Sequence, residues 1–438
     1  MIKKDDYKPE FGIDVSINFA TQILIFCLSF VSSIIIARTL GPEGKGLYEL
    51  ALMIPIMTVT FVGVGISYSN IYFIGKNKYP IGSIVGNVLF YSLIIGGNVA
   101  FFLIILVPYL SNYFLKDASL IYLYTTLPLI PFLMISENIY YVLLGYRKMV
   151  KFSILRLINP LTYVIILIII YYLFPLSVYG AIWAYISGHL VCLSLGIYFL
   201  IKSGYCIGLT LNKALYKESF KFGFKQYLGT IFQLLNYRLD MLIIAVLLTS
   251  MEVGQYSISV VIAETIWYIP NSLGQVLYPK TASSDTEAAN AFTPLVCRTN
   301  IILTFIAVLI LCGISGIIIP WLFTLEFYPS VMALRLLLPG TFFLGISKVL
   351  GNDLTGRGFP QYSTYASLVS LIFTVILDFL LIPHFGINGA ALASSISYMI
   401  SALIITYLFI RTSGVKPLDL LILRAEDIID YRRVLKVF

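Results

Sequence analysis

Charge is what this sequence has least of. Asp, Glu, Lys and Arg make up 11% of its 438 residues, where a soluble globular protein carries about 25%. With 59% hydrophobic residues and a mean hydropathy of +0.93, the polar surface needed to cover a water-soluble particle of this size is missing. The class is integral membrane. Cysteines are few: Cys27, Cys192, Cys206, Cys297 and Cys312 are odd in number, irregularly spaced and mostly inside apolar runs. They indicate neither a disulfide framework nor a metal cluster and read as small buried hydrophobes. Long polar loops are also lacking, so no large soluble catalytic domain fits. An enzyme acting on sugar chains outside the cell would need at least one sizeable external loop.

What is present is a series of apolar runs long enough to cross a bilayer. They fall at 15–37, 47–74, 83–110, 119–144, 152–174, 178–201, 226–248, 252–276, 299–323, 329–350, 363–382 and 386–410, which predicts twelve transmembrane helices. Lys3, Lys4 and Lys8 precede the first run, but Arg38-Thr39-Leu40-Gly41-Pro42 follows it instead of a small-residue cleavage site. A retained first helix is therefore expected. With the N-terminus cytoplasmic, 24 of the 29 Lys and Arg residues fall on the inner side and three (Arg38, Lys45, Lys116) on the outer, with Arg238 and Arg335 set inside the membrane. That asymmetry places both termini in the cytoplasm. It also accounts for the net charge of +8 without a nucleic-acid partner.

The expected organisation is an N-terminal lobe over 1–201 (helices 1–6), a cytoplasmic linker over 202–225, a C-terminal lobe over 226–410 (helices 7–12) and a cytoplasmic amphipathic tail over 411–438. The tail alternates apolar groups with Arg424, Arg432, Arg433 and Lys436, a pattern suited to an anionic membrane surface. An internal repeat supports two equivalent lobes. Ile35-Ile36-Ala37, Gly46 and Tyr48 answer to Ile243-Ile244-Ala245, Gly254 and Tyr256, and Gly180-Ala181 with Ala184 to Gly389-Ala390 with Ala393. Six helices per half give both repeats one orientation, as in transporters that work by alternating access.

Ala37 to Gly44 (Ala-Arg-Thr-Leu-Gly-Pro-Glu-Gly) with Gly46 and Tyr48, Asn236-Tyr237-Arg238-Leu239-Asp240, and Glu252 to Ser257 recur in the order of a known group. Ile269-Pro270, Tyr278-Pro279 and Ile382 to Ala391 continue the pattern. On these motifs the chain resembles the polysaccharide transporter family of the multidrug/oligosaccharidyl-lipid/polysaccharide exporter superfamily. The resemblance implies an all-α, twelve-helix, V-shaped exporter with two pseudo-symmetric six-helix lobes and no enzymatic activity. Its implied work is flipping polyprenyl diphosphate-linked oligosaccharides of O-antigen, capsule or exopolysaccharide from the inner to the outer leaflet of the cytoplasmic membrane. Partners so implied are the lipid-linked substrate, the bilayer, and polysaccharide polymerase and chain-length proteins. Related peptidoglycan-precursor flippases have fourteen helices and several arginines in the first two; here no charge stands between Asp14 and Arg38. Cation-coupled multidrug extrusion is the alternative within the superfamily.

A diphosphate headgroup cannot cross hydrocarbon without a wet, cationic path. Ionisable residues inside the spans are the candidates: Arg238, Arg335, Arg156 and Lys348 for substrate, with Glu264 as a substrate-site residue or as a partner that locks Arg238. Asp240 is two residues from Arg238, about 200° around the helix, and faces elsewhere. Asp240, Thr374, Asp378 and Ser394 all fall in the outer half of the second lobe by helical rise, and Thr374 and Asp378 share a face. They form a hard-oxygen set suited to Na⁺ or a shared proton. The resemblance implies a sodium ion between helices 7, 11 and 12 in some flippases, with Thr374 standing where an amide is expected. No cofactor or other metal is expected. Glu137 is expected to pair with Arg156, His189 to be a hydrogen-bonded packing residue, and Glu49 to be solvated.

Overall fold

The computed structural model of the chain describes residues 8–114, 120–146, 148–203 and 211–421, and no strand occurs among them. Cys206, Lys116 and the tail bearing Arg424, Arg432, Arg433 and Lys436 lie outside the described residues. In hydrocarbon the backbone must satisfy its own hydrogen bonds, which selects helices. Ten helices among the described residues are long and apolar enough to cross a membrane. The first, Ile17–Gly63, is 47 residues long and carries most of the first two expected runs. The expected run 252–276 is divided between two helices of 15 and 16 residues.

Two compact units divide the chain. In the first lie α1 (Lys8–Gly63), α2 (Ile66–Gly75), α3 (Ile81–Phe114), α4 (Leu120–Thr126), α5 (Leu129–Gly145), α6 (Met149–Leu173) and α7 (Val178–Lys202). The beginning of α8 (Lys213–Leu247) up to Ile231 and of α9 (Ser250–Glu264) up to Gly254 belong to it too. The second unit takes α8 from Phe232 and α9 from Gln255. It continues through α10 (Tyr268–Ser283), α11 (Thr286–Phe323), α12 (Pro329–Gly356), α13 (Gln361–Phe385), α14 (Ile387–Ser413) and α15 (Pro417–Leu421). Each has its own apolar core: Ile84, Ile139, Leu143 and Leu155 are central to one cluster of the first, and Leu277, Val349, Leu350 and Phe409 to that of the second.

Helix breaks follow local chemistry. Gly41 takes φ 65°, ψ −176°, a conformation open to glycine, and Pro42 after it starts the next segment with no N–H to satisfy. The run expected at 47–74 is interrupted at Val64 and Gly65, both at positive φ. Pro128 separates α4 from α5. A single 3-10 turn, Thr265–Trp267, joins α9 to α10, just ahead of Pro270, whose ring removes the bond to the carbonyl of Ile266. Elsewhere helices outrun the apolar pattern: α8 begins at Lys213 and α11 at Thr286, where the Asp285 side chain accepts from Ala288 N–H at 2.8 Å.

Several charges assigned to loops or water are buried. Lys45 is 2% exposed and pairs with Glu49 at 2.6 Å, so Glu49 is not merely solvated. Arg357 lies against the fully buried Asp353 at 2.6 Å, and Thr281 and Thr293 donate to the same carboxylate. Buried Arg298 donates to the Asp419 carbonyl. By contrast Lys78 and Glu218 pair in the open at 2.6 Å, and the Lys78 hydrogen bond holds the Glu218 carboxyl below the usual carboxylate range. Its contribution is present above that range and is lost as pH falls through the lowered pKa. Glu218→Gln should melt slightly below wild type at low salt and together with it in 1 M salt, where charges are screened beyond about 3 Å.

Within the first unit, α1 and α9 meet at Gly46 and Gly254. A Cβ on Gly254 would lie 1.9 Å from the Pro42 carbonyl oxygen, and one on Gly46 1.7 Å from that of Ser250. Backbone has to move to admit either. Gly254→Ala is expected to lower stability by about 1–3 kcal/mol, the usual cost of overpacking, measured by thermal unfolding of the purified protein in detergent.

Candidate substrate and cation site

Most of the expected site residues lie in the second unit. Arg238, on α8, faces Glu264 at the end of α9: Nη1 is 3.2 Å from Oε1, and Nη2 donates to Oε2 at 3.4 Å. A guanidinium and a carboxylate meet well in this two-point arrangement. The side chains are 35% and 25% exposed, so the pair is neither sealed nor free. The pairing of Glu264 with Arg238 is therefore present.

The other cations are separate from that pair. Arg335 on α12 turns to α11, where its Nε donates to the Ser315 hydroxyl at 2.9 Å and to the Cys312 carbonyl at 3.2 Å. Arg156, in the first unit, has its guanidinium 5.4 Å from the centre of the Phe152 ring. No ion pair joins it to Glu137 among the described residues, contrary to expectation. Lys348 on α12 donates to Asn271 Oδ1 at 3.3 Å, and its Nζ lies 4.8 Å from the Trp267 ring centre and 5.5 Å from that of Tyr237. Aromatic faces attract a cation electrostatically.

Asp240 is on another face of α8, as its spacing from Arg238 requires. It is 2% exposed. Its Oδ2 accepts from the Tyr256 hydroxyl at 2.6 Å and the Ser394 hydroxyl at 3.2 Å, and its Oδ1 from the Met241 N–H at 2.8 Å. Thr374 does not bond to either acid; its hydroxyl donates to Asn236 Oδ1 at 3.2 Å and to the Ser370 carbonyl at 3.0 Å. Asp378, one turn further along α13, is fully buried, and neither carboxylate oxygen has a hydrogen-bond partner. Asp240 is near enough to act on it electrostatically. A buried carboxylate with two unmatched oxygens calls for a proton or a cation. No group of three His, Cys, Asp or Glu suited to a metal occurs among the described residues.

A polar cavity of about 240 Å³ opens in the same unit, with Gln233, Tyr237, Asn271, Lys348, Asn352 and Tyr398 in its wall. Sequence reasoning named Lys348 as a site residue but not the amides and tyrosines, which are spread over four helices; of these only Tyr237 falls in a quoted motif. Asn236 and Tyr256 were also missed as site residues. Asn236 is four residues from Asp240 and so on its face, and Tyr256 repeats Tyr48, whose hydroxyl meets that of Tyr163 at 2.6 Å in the first unit. His189 has the packing role expected, with Asn159 Nδ2 at 3.0 Å from its ring nitrogen.

These features define a multi-pass helical membrane protein with an ionisable interior, a transporter architecture. Residues 11–284 match the family described as polysaccharide biosynthesis protein, and the chain belongs to that family, within the exporter superfamily whose motifs it bears. It is similar to the capsular polysaccharide biosynthesis protein CapF of Staphylococcus aureus, at 24% identity over 90% of this chain and 97% of that one. Among solved structures, the lipid II flippase MurJ in an inward closed conformation has a TM-score of 0.78 at 17% identity, over 92% of this chain and 89% of that one. An inward-facing multidrug resistance transporter of the MATE family has a TM-score of 0.72 at 15% identity, over 88% and 94%. The chain thus has the exporter fold.

Removing one member of the Arg238–Glu264 pair leaves the other uncompensated, at a greater cost than removing both. Arg238→Met and Glu264→Gln are each expected to lower thermal stability, and the double variant to recover part of the loss. A strictly additive double variant would show that the two side chains are not coupled.

Proposed function

We propose that this protein flips a polyprenyl diphosphate-linked oligosaccharide, a unit of O-antigen, capsule or exopolysaccharide, from the inner to the outer leaflet of the cytoplasmic membrane by alternating access. The observation that carries the reading is the charge of one cavity: its wall, in the second unit, contains one cation, Lys348, and no carboxylate. Such a wall favours an anionic, hydroxyl-rich headgroup. The alternative, cation-coupled multidrug extrusion, requires an acid in the drug-facing wall. The family match and the likeness to CapF support the glycan reading; the fold is common to flippases and drug transporters and favours neither.

In this reading Arg238 contacts phosphate, oriented by Glu264, because two-point binding of oxyanions is a guanidinium property. Arg335 and Arg156, each engaged elsewhere, are subsidiary, and both termini are cytoplasmic. Polymerase and chain-length proteins take up the flipped unit. In cells that depend on this gene for a surface glycan, Arg238→Ala should abolish surface glycan and cause lipid-linked precursor to accumulate. Full export with the substitution would remove Arg238 from the substrate site.

Asp240, Asp378, Ser394 and Thr374 provide oxygen atoms of the kind that bind Na⁺, and the two unmatched oxygens of Asp378 give an ion or a proton its place. The coupling cation in this reading is Na⁺ or H⁺, held there by the two carboxylates. At equal ionic strength, replacing choline by Na⁺ should raise the melting temperature of wild type and leave that of Asp378→Asn unchanged. The same Na⁺ response in both proteins would exclude Asp378 as a sodium ligand.

A further inference from the structure

The cavity of the second unit is too small for an oligosaccharide and is built for more than water. Its volume of about 240 Å³ corresponds to about eight waters at roughly 30 Å³ each, and lies below the range of about 300–1,000 Å³ common for drug-sized ligands. That is room for one sugar ring. Its wall has the two surfaces that a sugar uses. Amide side chains, Gln233, Asn271 and Asn352, offer donors and acceptors together, and Ser363 and Ser367 add hydroxyls, matching a ring of hydroxyls that both give and accept. Tyr237 and Tyr398 give aromatic surface for the apolar C–H face of a pyranose. Their rings are 6.1 Å apart at 87° and each contacts Trp267, at 4.6 Å from Tyr237 and 6.3 Å from Tyr398.

The third element is the charge. Lys348 makes no ion pair among the described residues; its contacts are the amide oxygen of Asn271 and the faces of Trp267 and Tyr237. An ammonium held on an aromatic wall, with no acid in the cavity lining, leaves the empty cavity singly positive. Neutral sugar would leave that charge uncompensated. A ring with one negative group would neutralise it while its hydroxyls meet the amides.

We propose that this cavity is a saccharide subsite that takes one sugar ring bearing a single negative group, a uronic acid, with its carboxylate on Lys348. The inference rests on the glycan-flippase reading and deepens it: one residue of the exported unit is recognised within the second unit, apart from the Arg238–Glu264 pair. Because Lys348 sits over Trp267, an anion that draws the ammonium away changes the fluorescence of that indole.

The test uses the purified full-length protein in detergent, carrying Trp183→Phe and Trp321→Phe so that Trp267 alone reports. Glucuronate, glucose and inorganic pyrophosphate are titrated at matched ionic strength. Glucuronate is expected to give a saturable change with at least about tenfold higher affinity than glucose. Lys348→Gln should bring glucuronate down to the affinity of glucose, and pyrophosphate should not compete. Gln233→Ala, which leaves the charge in place, should weaken both sugars alike and keeps the idea open to refutation if the Lys348 variant does not fold. No saturable sugar response, an unchanged glucuronate preference in Lys348→Gln, or displacement of glucuronate by pyrophosphate would overturn the subsite. Loss of sugar binding in Lys348→Gln with precursor still exported would confine the failure to the role of the subsite in transport. Sugar binding by a protein that exports no glycan in cells would instead count against the flippase reading.

Discussion

Hydrocarbon offers no hydrogen bonds, so a polar or charged group inside the membrane-spanning part is stabilised by a match on its own helix or on a neighbour. The second unit is organised by this requirement. Asp240 ties α8 to α9 through Tyr256 and to α14 through Ser394. Arg238, two residues away, ties a different face of α8 to the end of α9. Asn236 reaches α13 through the Ser367 carbonyl and the Thr374 hydroxyl. One short stretch of α8 thereby fixes three neighbours. Matching is incomplete at several buried side chains, Asn300 and Asp378 among them; at Asp378 the unmatched group is a carboxyl, which the proposed reading supplies with an ion or a proton.

The first unit meets the same requirement differently at the corresponding position. At the repeat position of Asp240 stands Ser32, and the tyrosine that answers to Tyr256, Tyr48, finds Tyr163 in place of a carboxylate. At this position the two copies of one helical plan differ, one pairing the phenol with a second phenol and the other with a carboxylate. In the proposed reading the coupling chemistry belongs to the second copy. The difference also explains why the repeat was visible in the glycines and tyrosines that set packing, and not in the residues that carry charge.

The all-helical membrane class was legible in the scarcity of charge, and long apolar runs located most of the helices. Their interruptions were less so. The 3-10 turn at Thr265–Trp267 and the break at Val64 and Gly65 lie within runs whose hydropathy is continuous, and hydropathy does not register a missing N–H or a positive φ. Helical rise and rotation correctly separated Arg238 from Asp240 and brought Asp240 to Ser394. They could not tell that Thr374 turns to Asn236, because its hydroxyl has a backbone carbonyl and an amide within reach and the choice depends on side-chain packing. Counting cations by side missed the burial of Lys45 and Arg298 and the half-burial of Arg357, whose partners are a carboxylate one turn away or a distant carbonyl. The cavity was least legible of all, since its wall is assembled from polar residues scattered over α8, α10, α12, α13 and α14.

The central claim is that the polar interior serves an anionic glycan headgroup and not a drug. Proteoliposomes containing the purified protein, loaded from one side with a polyprenyl diphosphate-linked oligosaccharide, test it most directly. A glycosidase added to the outside reads how much of the inner-leaflet pool has become accessible. The account predicts a protein-dependent rise in cleaved glycan with no transport of an organic cation by the same vesicles. Vesicles that extrude the organic cation and leave the glycan protected would contradict it.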